Sequence, residues 1–178
     1  MPNLAYLSLG SNVGDREKNL REAIHRLETL GCVIAVSSFY ETEPVEFTEQ
    51  PWFVNCAVAL ETSQSASQLM GGVLEIEREM GRQRVQKKGP RIIDIDILLF
   101  GDLTVNTPDL TIPHPAMAKR RFVLEPLAEI AAQIRHPVLK KTIGELLHAL
   151  PPEQTVRKGQ NQLATDSHRF PRIKGNCS

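Results

Sequence analysis

The chain has 178 residues, 41% hydrophobic and 24% charged, with 21 Lys and Arg against 21 Asp and Glu. Those proportions exclude global disorder, the length suits one domain with a real core, and zero net charge speaks against a generic nucleic-acid binder. No apolar run reaches the ~18 residues of a membrane span, and neither the start Met1-Pro2-Asn3 nor the spacing of Cys32, Cys56 and Cys177 suggests export, so a cytoplasmic protein is expected.

Residues 4–9 read as a strand ending at Gly10. Residues 15–30 read as a helix: Leu20, Ala23, Ile24, Leu27 and Leu30 recur at three- and four-residue steps, and Gly31 stops them. Residues 33–40 are β-branched and aromatic, hence strand. Residues 41–51 hold two prolines and Glu41, Glu43, Glu46 and Glu49 with no base, a long loop of the kind that often carries function. Residues 53–60 form the next strand. Residues 65–80 form a second helix, with Leu69, Val73, Ile76 and Met80 on one face and Ser63 or Ser65 as its cap. The loop at 81–91 holds Arg82, Arg84, Lys87, Lys88 and Arg91 with no acid. Residues 92–100 are the clearest strand, Ile93, Ile95 and Ile97 alternating with Asp94 and Asp96. Gly101-Asp102 turns into a short strand near 103–105. Pro113-His114-Pro115 is extended, because a residue before proline is pushed out of the α region. Residues 119–132 hold one helix, or two short ones around Pro126, and 142–150 a last one.

The order strand, helix, strand, strand, helix, strand is the split βαβ pattern. It predicts an α+β, ferredoxin-like (βαββαβ) antiparallel sheet with both helices on one face, followed by a C-terminal extension. The expected domain covers 1–156. Residues 157–178, with five bases, one acid and few apolar residues, are expected to be a loosely ordered tail, so the neutral chain is a −4 body and a +4 tail. The pattern hosts many functions, RNA binding among them, so it decides nothing about activity.

The chemistry concentrates in Arg91-Ile92-Ile93-Asp94-Ile95-Asp96. Residues two apart on a strand share a face, so the carboxylates stand side by side while the isoleucines face the core. Two such charges repel unless a cation lies between them. Carboxylate oxygens suit Mg²⁺, and a pair so spaced can serve two ions in displacement at phosphorus. Taken alone, the pair is as well explained as an exposed strand face. The basic loop before it changes the balance: metals take some oxygens of a polyphosphate, and arginine forks take others. His114, stiffened by its prolines, suits a phosphate donor or a packed turn residue. Phe53 and Asn55 share a strand face and supply the aromatic surface and amide that a flat heteroaromatic ring needs; a core Phe and a structural Asn fit equally well. An RNA-binding sheet is disfavoured, since paired aspartates stand where stacking aromatics would. No Gly-x-x-x-x-Gly-Lys-Ser/Thr loop is present, so this is not a P-loop kinase.

Several segments together carry a resemblance: Leu9-Gly10-Ser11-Asn12, Tyr40-Glu41-Thr42-Glu43-Pro44, Gln50-Pro51 with Phe53 and Asn55, Gly81-Arg82, Gly89-Pro90-Arg91-Ile92-Ile93-Asp94-Ile95-Asp96-Ile97, Ile112-Pro113-His114-Pro115 and Arg121-Phe122-Val123-Leu124. In order and spacing the chain resembles the 6-hydroxymethyl-7,8-dihydropterin pyrophosphokinases of folate biosynthesis. The resemblance implies transfer of diphosphate from ATP to the pterin hydroxymethyl group, with AMP leaving. It implies that Asp94 and Asp96 hold two Mg²⁺ ions and that Arg82 and Arg91 are the catalytic phosphate clamps. It implies nucleotide contacts from Glu77, Arg84, Ile97, Thr111, His114 and Arg120. The pterin contacts implied are Asn12, Thr42, Pro44, Val45, Phe53, Asn55 and Phe122. ATP and the pterin are the expected partners of a monomer, with no nucleic acid and no membrane. The chain departs from the family's usual pattern at Glu46, Trp52, Lys88, Asp109, Ala116 and Ala118.

Overall fold

The computed structural model describes residues 2–44, 49–81, 91–152 and 155–159. The chain runs β1 (Asn3–Ser11), α1 (Arg16–Leu27), β2 (Cys32–Val36), β3 (Tyr40–Thr42), β4 (Phe53–Thr62), α2 (Ala66–Glu79), β5 (Asp94–Phe100), β6 (Val105–Asn106), β7 (Thr111–Ile112), a 3₁₀ turn (Met117–Lys119), α3 (Arg121–Ala131), α4 (Ile143–His148) and β8 (Val156–Lys158). Asp15 starts α1 by accepting the Lys18 amide at 3.1 Å. Ser65 and Gln68 close a capping box on α2, and Thr142 and Glu145 close one on α4; such caps satisfy amides that the first helical turn leaves unpaired.

The main sheet is antiparallel in the order β5-β1-β4-β3-β8, with β2 also on β4. The strand expected over 33–40 is two strands. Ser37 pairs with Ala57 through both its amide and its hydroxyl, and Ser38 turns its amide and hydroxyl to Glu129 of α3, so the ladder breaks between them. The strand expected near 103–105 falls at Val105–Asn106, paired with β7. Of the two possibilities around Pro126, the chain takes the single helix.

As expected, α1 and α2 share a face: Leu20, Ile24, Leu27, Leu69, Val73 and Ile76 bury against Leu7, Leu9, Val58, Leu60, Ile95 and Ile97. The opposite face is also covered. Met117, Val123, Leu124, Leu127 and Ile143 bury Tyr6, Ala57, Ala59 and Leu99. The sheet is therefore the middle of three layers, each buried Leu or Ile contributing ~1.5–3 kcal/mol. In β5 the partners jump from Leu7↔Ile97 to Tyr6↔Leu99. Leu98 is the extra residue of this bulge, which keeps Asp94 and Asp96 on the face that Leu99 later occupies. The last strand, β8, reaches Lys158, two residues past the expected end of the domain, because β3 offers it an open edge. The rest of the tail, 160–178, lies outside the described residues. Among those described, no helix is long and apolar enough to cross a membrane.

Candidate active site

Strand register lays out one wall of the site. Gly10 of β1 lies opposite Asn55 on one side and opposite Asp94 on the other, and Ser8 lies between Ala57 and Asp96. Paired residues share a face, so Phe53, Asn55, Asp94 and Asp96 all project toward the α3 side, joined by Thr42 opposite Phe53. Roughly 9–10 Å, two strand spacings, separates the backbones of Asn55 and Asp94. Gly10 keeps the floor between them bare: a Cβ there would lie 2.5 Å from Asn55 Oδ1.

At one end of this floor stand the carboxylates. Arg91 donates to Asp94 at 2.6 Å. Asp96 is pushed up to about 7, first by burial and then by Asp94, with Arg120 pulling down, Glu77 pushing up and Arg91 pulling down. Its side chain keeps 37% exposure, so solvent screening trims these charge effects. Glu77 is buried on α2 and reaches the outer edge of β5, accepting the Ile95 amide at 2.8 Å. Crowded carboxylates of this kind favour a cation among them. No group of three or more His, Cys, Asp or Glu among the described residues is disposed to hold a metal by itself. Mg²⁺ takes one or two protein carboxylates and fills its shell with phosphate oxygens and water, and Asp94 and Asp96 offer such a pair.

The facing wall comes from the segment before α3. The His114 amide donates to Leu98 at 3.0 Å. Its Nδ1 accepts the Ala116 amide at 3.2 Å, which leaves the proton on Nε2, 4.0 Å from Asp96 Oδ1. Burial, then Arg120, hold the imidazole pKa down against Asp94; at neutral pH His114 is thus an uncharged donor aimed at the carboxylates. The Arg120 guanidinium lies over the Phe122 ring, 5.5 Å from its centroid.

At the other end of the floor Asn55 donates to the Thr42 hydroxyl at 2.5 Å, both residues being buried. Pro44, which follows Thr42 closely in sequence, is buried, and Phe53 and Phe122 are half-buried. Asn12 has a bracing role. Its amide nitrogen donates to the Gln50 side chain (2.9 Å) and the Pro51 carbonyl (3.2 Å), and its oxygen accepts the Arg91 amide (2.7 Å). It ties the approach to β4 to the approach to β5, with both its donors committed. Thr111 is half-buried on β7, and Ile97 points away from the site: its side chain is in the α1–α2 core, so a nucleotide can meet only its main chain. Val45, Arg82 and Arg84, like Lys87 and Lys88, lie outside the described residues.

Three further residues shape this site in ways the sequence does not show. Gly10 and Gln50 belong there to segments that carry the resemblance, with no role attached to either. Gln50 and Arg16, the latter bonded to the Trp52 carbonyl at 2.8 Å and to Glu41 at 3.0 Å, act through contacts 25 to 38 residues away. Non-local register is the signal for all three, and one sequence does not display it.

This geometry can be set beside known proteins. The profile of the family 7,8-dihydro-6-hydroxymethylpterin-pyrophosphokinase matches residues 6–132. The chain belongs to that family. It is a pyrophosphokinase, a transferase of diphosphorus groups. The 2-amino-4-hydroxy-6-hydroxymethyldihydropteridine pyrophosphokinase of Bacillus subtilis is 47% identical over 136 residues, 75% of this chain and 81% of that protein. The protein of the same name from Aquifex aeolicus is 39% identical over 152 residues, 85% of this chain and 92% of its own length. Among solved structures, an HPPK-DHPS in complex with substrates superposes with a TM-score of 0.69 at 18% identity, over 84% of this chain and 43% of the other. This chain thus spans less than half of that longer pyrophosphokinase fusion, and the likeness speaks for the fold.

Proposed function

We propose that the chain, acting in folate biosynthesis in the cytoplasm, transfers the diphosphoryl group of ATP to 6-hydroxymethyl-7,8-dihydropterin with Mg²⁺. The pterin hydroxyl oxygen bonds to the β-phosphorus and gives up its proton to solvent, as that phosphorus parts from the α–β bridging oxygen, which leaves with AMP. The observation that supports this most is the shared sheet face: the Asp94–Asp96 pair at one end, Phe53, Asn55 and Thr42 at the other, and bare Gly10 between. Such a floor suits an acceptor ring and a polyphosphate laid end to end.

Asp94 and Asp96 are the residues to hold two Mg²⁺ ions. Bound there, Mg²⁺ would neutralise polyphosphate charge and order its oxygens. Arg91 shares charge with Asp94 and stands ready for a phosphate oxygen, as Arg82 is expected to. His114 offers Nε2–H and Arg120 its guanidinium to the outer phosphates, with Thr111 and Arg84 as further nucleotide contacts. Phe53 and Phe122 sandwich the pterin ring, Asn55 and Thr42 bond its edge, and Pro44 and Val45 border it. Asn12 keeps the two ends in register. These are tasks of alignment and charge neutralisation, which displacement at phosphorus asks for more than covalent chemistry. The test is incubation with ATP and Mg²⁺, with and without the pterin, followed by mass spectrometry of the nucleotide. AMP formed only with the pterin is expected; ADP, or pterin-independent AMP, would refute the proposal.

A further inference from the structure

The approach to the pterin end is gripped from a part of the chain beyond the family match, which ends at residue 132. β8 pairs Thr42 with Val156, Glu41 with Arg157 and Tyr40 with Lys158. The Glu43 amide donates to the Thr155 carbonyl at 3.3 Å, and the Gly159 amide to the Phe39 carbonyl at 2.8 Å. From this strand the Arg157 guanidinium lies over the Trp52 ring, 5.0 Å from its centroid. The carbonyl of the same tryptophan is held by Arg16 at 2.8 Å. Trp52 is thus fixed at ring and backbone by two guanidiniums. It immediately precedes Phe53, and its position is one where this chain departs from the family pattern.

We propose that Arg157 is a positioning residue for the pterin end of the site: stacked on Trp52, it sets the backbone entering β4 and so the aim of Phe53 and Asn55. The inference rests on the reading of those two residues as pterin contacts. The effect is selective by construction. Trp52 adjoins only the pterin end, whereas Asp94, Asp96, His114 and Arg120 meet the nucleotide from β5 and the third layer. Its size is modest, because Arg157 is exposed; a cation over an aromatic face at an exposed site corresponds to about a two- to five-fold change in an equilibrium.

The test uses the full chain. Arg157→Ala is expected to raise the KM for the pterin by about two- to five-fold, with the KM for ATP unchanged. Arg157→Lys, which keeps a cation, should recover part of the loss. Trp52→Ala should reproduce it, and the double variant should be no worse than Trp52→Ala, the non-additivity of residues that act through one contact. A second measurement needs no turnover. Trp52 is the only tryptophan in the chain, so intrinsic fluorescence reports on it alone, and acrylamide, a neutral quencher, should reach it more readily in Arg157→Ala. Equal rises in both KM values, or a lowered melting temperature with no pterin selectivity, would make Arg157 merely structural and overturn the proposal. So would unchanged pterin KM and quenching in a variant whose parent forms AMP with the pterin. A parent that forms no pterin-dependent AMP would instead overturn the reading of the pterin site, and this inference with it.

Discussion

At the scale of single residues, the aspartate pair is where sequence and structure agree most closely. Period-two alternation in a strand is a local rule, so the side-by-side carboxylates and the core-facing isoleucines were both legible in one string. The rule holds at Ile97 too: the alternation that turns Asp96 toward the site turns Ile97 into the α1–α2 core, so the nucleotide contact that the resemblance implied there is left to its main chain. The cost of losing the pair is calculable. Asp94→Ala or Asp96→Ala should lower AMP formation by ~10³-fold or more, by analogy with removal of a charge clamp in other transfers, while circular dichroism shows an intact fold. Mg²⁺ should raise the melting temperature of the parent in the presence of a nonhydrolysable ATP analogue, and should fail to do so in Asp96→Asn. Gly10 is the converse case, a residue whose importance lies in having no side chain. Its neighbours, Asn55 and Asp94, come from strands 45 and 84 residues downstream, which no local pattern reveals. Gly10→Ala should displace the Asn55 amide, cost ~1–3 kcal/mol of stability by overpacking, and weaken pterin binding, read by calorimetry.

Elements follow their own logic. The second helix began at Ser65, one of the two capping residues the sequence offered, because caps are local chemistry. The break between β2 and β3 was hidden, because Glu129 causes it from 91 residues away. That carboxylate accepts the Ser38 amide and hydroxyl and the Tyr40 hydroxyl, and lies 3.8 Å from Lys158 of β8. Burial pushes its pKa up, but the bonds from Tyr40 and Ser38, helped by Lys158, outweigh burial and hold it below the usual range. A depressed acid stabilises the fold above its unfolded-state pKa, and that contribution disappears as pH falls through the folded-state value. Glu129→Gln should therefore cost about 2 kcal/mol at neutral pH, the scale of hydrogen bonds to a charged group. In urea titrations the gap between parent and variant should hold steady at neutral pH and narrow below about pH 4.5, the ordinary glutamate range. A gap that widens on acidification would contradict this account.

Across the whole molecule, the order of elements was enough to name the βαββαβ core, and the motif segments along it named the family, but neither said what lies on the sheet's second face. Burial on both sides erases the alternation that would have marked an exposed face; seven consecutive residues of β1, 5–11, are buried. A chain cut before Met117 should leave Tyr6, Ala57, Ala59 and Leu99 uncovered, bind a hydrophobic dye and lose cooperative unfolding. The three-layer build also means that the site has a floor and a roof of different origin. Asp94, Asp96, Phe53 and Asn55 belong to the sheet; His114, Arg120 and Phe122 belong to the layer laid over it. The width of the gap is then set by how tightly that layer sits, and a ligand touching both sides is a removable rivet between them. Nucleotide, metal and pterin together should slow amide hydrogen exchange in α3, while α1, packed on the opposite face of the sheet, exchanges as before.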